Sequence, residues 1–271
     1  TGYMESVNQR KGSLSGLLSG LFWGLDSVLL GIVLLSPVLI GLGSSASFVA
    51  TFLHDSISFI ILFMLILSLK KISEFKTVLF SKSGLAIIMA ALLGGPLGMG
   101  AYILSIRYLG ASIGAAGSAV YPAVGALLSY FFLKRTMKKH SIIGLVIAIT
   151  AIALMSLNAS STSDNVFLGI VFLSLCVLGW GSEAVIIDAT LKEDVSSEVA
   201  LAIRQLTSML VYGLVVMPLL GFSNIGPVLS SSSLLILIAL TSLAGTVSYL
   251  AYYKSIDLIG ATQAMGLNIS Y

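Results

Sequence analysis

An all-α polytopic membrane protein is the fold class that three observations in this sequence predict. Hydrophobic residues fill 57% of the 271 positions and charged residues only 9%, against about 25% charge in a soluble domain. The apolar residues fall into runs long enough to cross a bilayer. Lys and Arg gather between alternate runs. With a mean hydropathy of +1.06, the chain has too little polar residue to clothe a water-facing globule. A soluble enzyme, a disordered segment and a nucleic-acid binder are thereby excluded.

A spanning helix needs about 20 apolar residues, within a range of roughly 17–25. Eight runs qualify or nearly so: 14–35, 48–69, 83–106, 112–133, 142–157, 166–188, 199–220 and 234–256. A ninth starts near Thr262 and reaches Tyr271. Helices are expected because apolar character is continuous over these lengths, and an open sheet would leave backbone groups unpaired in lipid. Gly16, Gly20 and Gly24 form a stripe that permits close helix approach. Gly94-Gly95-Pro96 in the third run and Pro122 in the fourth should bend their helices.

Short-loop Lys and Arg set the orientation. With the N-terminus inside, Arg10, Lys11, Lys70, Lys71, Lys76, Lys82, Lys134, Arg135, Lys138, Lys139, Lys192 and Lys254 are cytoplasmic, and Arg107 alone is outside. Segments 36–47, 158–165 and 222–233, expected outside, carry one charge between them, Asp164.

The chain also repeats itself. Ala101-Tyr102-x-x-Ser105-Ile106-x-x-x-Gly110-Ala111 returns as Ala251-Tyr252-x-x-Ser255-Ile256-x-x-x-Gly260-Ala261, and Tyr121 returns as Tyr271. Trp23-Gly24-x-Asp26-x-Val28 returns as Trp180-Gly181-x-Glu183-x-Val185 and contains both tryptophans. Five spans separate the copies, an odd number, so the second is inverted. Inverted repeats mark transporters, with the site near the midplane between the halves. Residues 1–158 are expected to form the first five-helix repeat and 159–271 the second, incomplete at its C-terminal end. Ten spans are expected for the complete architecture, about eight and a stub of them present here, so the natural chain should continue by roughly 40 residues.

Charges inside a membrane are costly, so they face a cavity or a partner. Glu183 lies mid-span and shares a helix face with Trp180, three residues before it; Trp23 and Asp26 do likewise in the first span. Tyr249, Tyr252 and Tyr253 share a face in the eighth span, where they either pack or complete an aromatic box. His54, Asp55, Arg204 and Gln205 are the other polar residues within spans. The competing reading makes the tryptophans interface anchors and pairs Glu183 and Asp26 with Arg204 or Lys; the group of His54, Asp55, Arg204 and Gln205 is expected to hold a structural ion pair such as Asp55–Arg204. Asp188, four residues before Lys192, is expected to form a surface pair. Lone Cys176 with scattered His54 and His140 offers no disulfide and no metal site. No cofactor motif and no catalytic signature appears.

Several strings resemble a known family: Phe22-Trp23-Gly24-Leu25, His54-Asp55, Gly95-Pro96-Leu97-Gly98-Met99, Trp180-Gly181-Ser182-Glu183, Arg204-Gln205-x-Thr207-Ser208, Ser248-Tyr249-Leu250-Ala251-Tyr252-Tyr253 and Gly266-Leu267-Asn268-x-Ser270-Tyr271. Together with the inverted repeat they resemble the drug/metabolite transporter superfamily of EamA type, and within it the LicB-type bacterial choline permeases. The resemblance implies choline import across the bacterial inner membrane to supply phosphocholine decoration of teichoic acid or lipopolysaccharide. It also implies an ammonium box of Trp23, Trp180, Tyr249, Tyr252 and Tyr253 with Glu183 as the nearby acid. Asp26, His54, Asp55, Tyr102, Tyr121, Arg204, Gln205, Asn268 and Tyr271 would surround or gate that box. Asp26 departs from the small or apolar residue expected there. The runner-up function is export of amino acids or cationic drugs on the same scaffold.

Overall fold

A computed structural model describes residues 2–159 and 165–269, and among these every regular element is helical. In chain order they are α1 (Gly2–Leu34), α2 (Pro37–Ile40), α3 (Ala46–Ser68), α4 (Ile72–Leu79), α5 (Lys82–Leu92), α6 (Gly98–Leu109), α7 (Ala111–Ser118), α8 (Tyr121–Phe132), α9 (Lys139–Ala159), α10 (Val166–Leu191), α11 (Ser197–Val211), α12 (Met217–Leu220), α13 (Gly226–Leu229), α14 (Ser232–Ile259) and α15 (Ala261–Asn268). Seven stretches of the described residues are long and apolar enough to cross a membrane: α1, Gly43–Ser68, Lys82–Leu109, Ser112–Phe132, α10, Ser197–Leu220 and α14. α9 holds a shorter apolar stretch, Ile142–Met155. Large apolar side chains such as Leu21, Ile60, Ile147, Phe167 and Leu214 are exposed, as lipid contact requires.

Local chemistry sets the breaks. Ser36 precedes Pro37, which disfavours helix at the serine, and Ser36 Oγ accepts from the Leu39 N–H at 3.4 Å to start α2. Asn165 caps α10 by accepting the Leu168 N–H at 3.1 Å. Pro96 has no N–H to donate, and the chain between α5 and α6 widens into a π-helical turn, Leu93–Leu97. A second π-helical turn, Tyr212–Val216, joins α11 to α12 just before Pro218. Gly110 and Gly260, the glycines of the two sequence copies, turn their helix ends with nearly the same backbone, φ 87° and ψ 161° against φ 86° and ψ 163°. Only glycine adopts that conformation without strain.

α1 lies along α14, where Gly12 and Gly16 bring the backbones together against Ile259 and Ser255. Three serines bond across the gap: Ser248 Oγ donates to Ser19 O at 2.7 Å, Ser255 Oγ to Gly12 O at 2.8 Å, and Ser15 Oγ to Ala251 O at 2.8 Å. α10 packs on α6 and α8 through Gly169, Gly179 and Gly181.

The buried apolar residues form two clusters. One holds Leu62, Ile66, Phe75, Ile87, Leu191, Ile203 and Ile256; the other holds Val33, Leu39, Val49, Met217, Leu234 and Ile238. Between them, α3, α11 and α14 place His54, Asp55, Ser58, Arg204, Gln205, Ser208, Thr241, Ser242 and Thr246, all buried. The bundle therefore carries a polar layer between two apolar ones.

At the lysine-rich end, Asp188 departs from the expected surface pair. It meets Lys192 at 3.1 Å, but its side chain is only 1% exposed, and it also meets Arg135 at 3.5 Å and accepts the Ala261 N–H at 2.9 Å. The bend at Gly260 delivers that backbone N–H, which spacing along one helix could not reveal. Lys71–Glu198 at 3.2 Å and Ser196 N–H to Glu74 at 2.9 Å tie the same end.

Gly179 tests the packing. A Cβ there would press on the Leu93 carbonyl oxygen and sit 3.3 Å from the Gly98 Cα, whereas one at Gly100 would meet nothing within 4 Å. Gly179→Ala is expected to destabilise by about 1–3 kcal/mol and to lower the melting temperature of the purified protein in detergent. Gly100→Ala is expected to leave it unchanged or raise it; equal melting of the two variants would refute this account of the interface.

Candidate functional site

Aromatic side chains from five helices meet beside the polar layer. Trp180 of α10 donates from Nε1 to the Gly94 carbonyl at 3.1 Å, inside the π-helical turn. Its ring meets the Tyr121 ring edge-on at 5.7 Å and the tilted Tyr102 ring at 5.4 Å. Trp23 of α1 meets Tyr249 of α14 edge-on at 5.8 Å, and Tyr249 meets Tyr253 at 6.2 Å. Tyr121 donates to Asn268 at 2.6 Å, and Asn268 donates to Ser19 at 3.0 Å.

These groups enclose a small pocket of about 40 Å³, lined by Trp23, Tyr121, Trp180, Glu183, Ser248, Tyr249, Tyr252 and Asn268. Trp23, Trp180 and Tyr249 also line a larger cavity of about 570 Å³. It runs along α1 past Asp26 to Leu34, toward the charge-poor end, and takes in His54, Asp55, Tyr102, Arg204 and Tyr212. Tyr253 stands behind the pocket wall and donates to Glu183 at 3.0 Å. Gln205 lies one step behind Arg204. Tyr271 lies outside the described residues.

Two charge clusters flank this space. In the first, Arg204 Nε donates to Glu183 at 2.9 Å, NH1 to Gln205 at 2.8 Å and NH2 to the Tyr249 hydroxyl at 3.1 Å. The guanidinium carbon lies 4.7 Å from the Tyr249 ring centroid. Gln205 then donates to Ser58 at 2.9 Å, and Ser58 pairs with Thr246 at 2.6 Å. Gly94 makes room, since a Cβ there would overlap the Glu183 carboxylate. In the second, the His54 ring sits between two acids, 3.0 Å from Asp26 and 3.0 Å from Asp55. Ser208 donates to Asp55, and bare Gly245 accommodates Asp26 and His54.

Arg204 thus pairs with Glu183, as the competing reading has it for that acid, while Asp55 pairs with His54 and Ser208 in place of the expected Asp55–Arg204 pair. Asp26 is buried and lines the larger cavity. Ser58, Thr246 and Tyr212 escaped the sequence reading because single hydroxyls inside apolar runs carry no motif, whereas Ser208 entered it only within the Arg204-Gln205-x-Thr207-Ser208 string. The one signal was the density of Thr241, Ser242, Thr246 and Ser248 along α14. Among the described residues, no group of three or more His, Cys, Asp or Glu side chains has a metal-holding arrangement.

Two carboxylates facing one imidazole predict a specific coupling. His54→Leu removes the group between Asp26 and Asp55 and is expected to destabilise by about 3–5 kcal/mol, as when one partner of a buried pair is lost. Asp26→Asn in that background is expected to restore part of the loss. Thermal unfolding of the single and double variants checks this; an additive further loss would contradict it.

Comparison with known proteins adds to this geometry. Residues 10–157 match the model of the EamA-like transporter family. Protein LicB of Haemophilus influenzae is 32% identical over 261 residues, covering 96% of this chain and 85% of that protein. Length, helical spans, family match and relative agree: the chain belongs to the EamA-like transporter family.

Proposed function

We propose that this transporter imports choline, or a close quaternary amine, across a bacterial inner membrane by alternating access, and so supplies phosphocholine decoration of the cell surface. In this reading the lysine-rich end and the N-terminus are cytoplasmic, the larger cavity faces outward, and Asp188 with its partners closes the inner side. The two halves are inverted repeats, a division supported by the matching turns at Gly110 and Gly260. The protein works as a carrier and not as a catalyst.

The observation that carries the proposal is the pocket formed by two tryptophans, tyrosines and a carboxylate. A quaternary ammonium has no N–H to donate, so it is held by ring faces and nearby anions. Each cation–π contact contributes about 0.5–2 kcal/mol, depending on desolvation. Glu183 is already balanced by Arg204. The surplus negative charge comes from Asp26 and Asp55, two acids against one imidazole, in the cavity that leads to the pocket. The resemblance to LicB-type choline permeases and the similarity to Protein LicB support the same substrate. An inside-negative potential favours entry of a monovalent cation by about 2.3 kcal/mol per 100 mV.

Trp180→Leu is expected to abolish choline binding, and Trp180→Phe to keep part of it because a ring face remains. Isothermal titration of the purified variants measures this; unchanged affinity in a folded Trp180→Leu protein would sink the box.

Charge recognition is tested with 3,3-dimethylbutanol, the neutral carbon isostere of choline. Two or three ring faces at the low end of the cation–π range, with the surrounding acids, sum to about 2 kcal/mol. Choline should therefore bind roughly thirtyfold more tightly. A pocket that only fits a tert-butyl shape would bind the neutral compound at least as well, since burying an ammonium is penalised by desolvation. Equal affinities in competition uptake would remove the cation cage and the choline assignment together.

A further inference from the structure

Arg204 already holds the partners that a cationic substrate would need. Its guanidinium lies over the Tyr249 ring, 4.7 Å from the centroid, and bonds Glu183 at 2.9 Å. Glu183 and Tyr249 both line the small pocket, whereas Arg204 reaches them from the larger cavity. A second cation arriving at these groups meets a positive charge that is already there.

We propose that Arg204 is a tethered competitor of the substrate: the incoming quaternary ammonium takes the Tyr249 face and the Glu183 field, and the guanidinium swings to Asp55. The inference rests on the choline reading above. Three features support the swing. Arg204 and Ser208 are four residues apart on α11 and share a face, and Ser208 already bonds Asp55. Gly95 leaves the space beside them free of a side chain: a Cβ there would lie 3.5 Å from Ser208 Oγ and 3.8 Å from Arg204 Cζ. The move therefore needs a side-chain rotation and no shift of the helix.

The exchange also sets specificity. A guanidinium stacks well on rings and is more weakly hydrated than an ammonium. Only a cation that gains from ring faces and loses little hydration displaces it. Quaternary ammonium ions meet both conditions; strongly hydrated alkali cations meet neither.

The test is choline binding by the full chain, measured calorimetrically for wild type, E183Q, R204Q and the double variant E183Q/R204Q. E183Q releases Arg204 from its acid but leaves its charge in the box, so affinity should fall by about tenfold or more. R204Q should bind choline about tenfold more tightly than wild type. Should R204Q fail to fold with Glu183 unpaired, the double variant, which buries neither charge, decides the matter. It is expected to recover to within about threefold of wild type. A double variant that binds choline as weakly as E183Q, or more weakly, makes Arg204 part of the binding machinery and overturns the proposal, while wild-type binding keeps the choline reading intact. Absence of choline binding by wild type overturns both.

Discussion

The buried Glu183–Arg204 ion pair constrains everything built around it. Two charges removed from water are held only if their remaining donors and acceptors are also satisfied. Tyr253 adds a second donor to the same carboxylate oxygen, while Gln205 and Tyr249 accept from the guanidinium. Ser58 and Thr246 extend the chain into α3 and α14. Tyr253, Tyr249 and Thr246 stand on α14, Gln205 on α11 and Ser58 on α3. The pair therefore fixes how α10, α11 and α14 stand relative to one another. It also explains Gly94, because the carboxylate lies where any other residue would place its Cβ.

The polar layer has a second centre, and the two differ in character. The Glu183–Arg204 pair balances its charge internally. The Asp26–His54–Asp55 cluster sets two acids against one imidazole on the wall of the larger cavity, where Arg204 also stands. On the proposed reading, a cation approaching along α1 passes the second centre before it meets the rings beside the first. On that reading attraction and recognition fall to different side chains, one set acting at a distance and the other by contact.

Much of this was legible in the sequence. Run length and Lys/Arg placement located the spans, because a bilayer imposes one thickness on every helix. The spacing of Trp180 with Glu183, and of Tyr249 with Tyr252, placed each pair on one wall of the pocket, because residues three or four apart share a face. What spacing could not supply was which faces meet across helices. Arg204 was expected opposite Asp55 and stands against Glu183. The π-helical turn at Leu93–Leu97 sets how α5 and α6 approach α10, and no periodicity announces it. Asp188 misled for a related reason: its partner at Ala261 is a backbone N–H, and backbone groups have no signature in a sequence.

The serine bonds between α1 and α14 have a mechanical consequence. Ser248 and Ser255 are seven residues apart, and so are their acceptors, Ser19 and Gly12, in the opposite direction. Sliding one helix past the other by a single residue, about 1.5 Å, would break both bonds and the one from Ser15 as well. The two helices are keyed together like a shaft and its collar, locked against slip. Trp23, Ser248, Tyr249 and Tyr252 ride on that piece, while Trp180, Glu183 and Tyr121 ride on α10 and α8. Trp23 and Tyr249 therefore hold their edge-on contact at one height, and the wall that they form on the small pocket keeps its register.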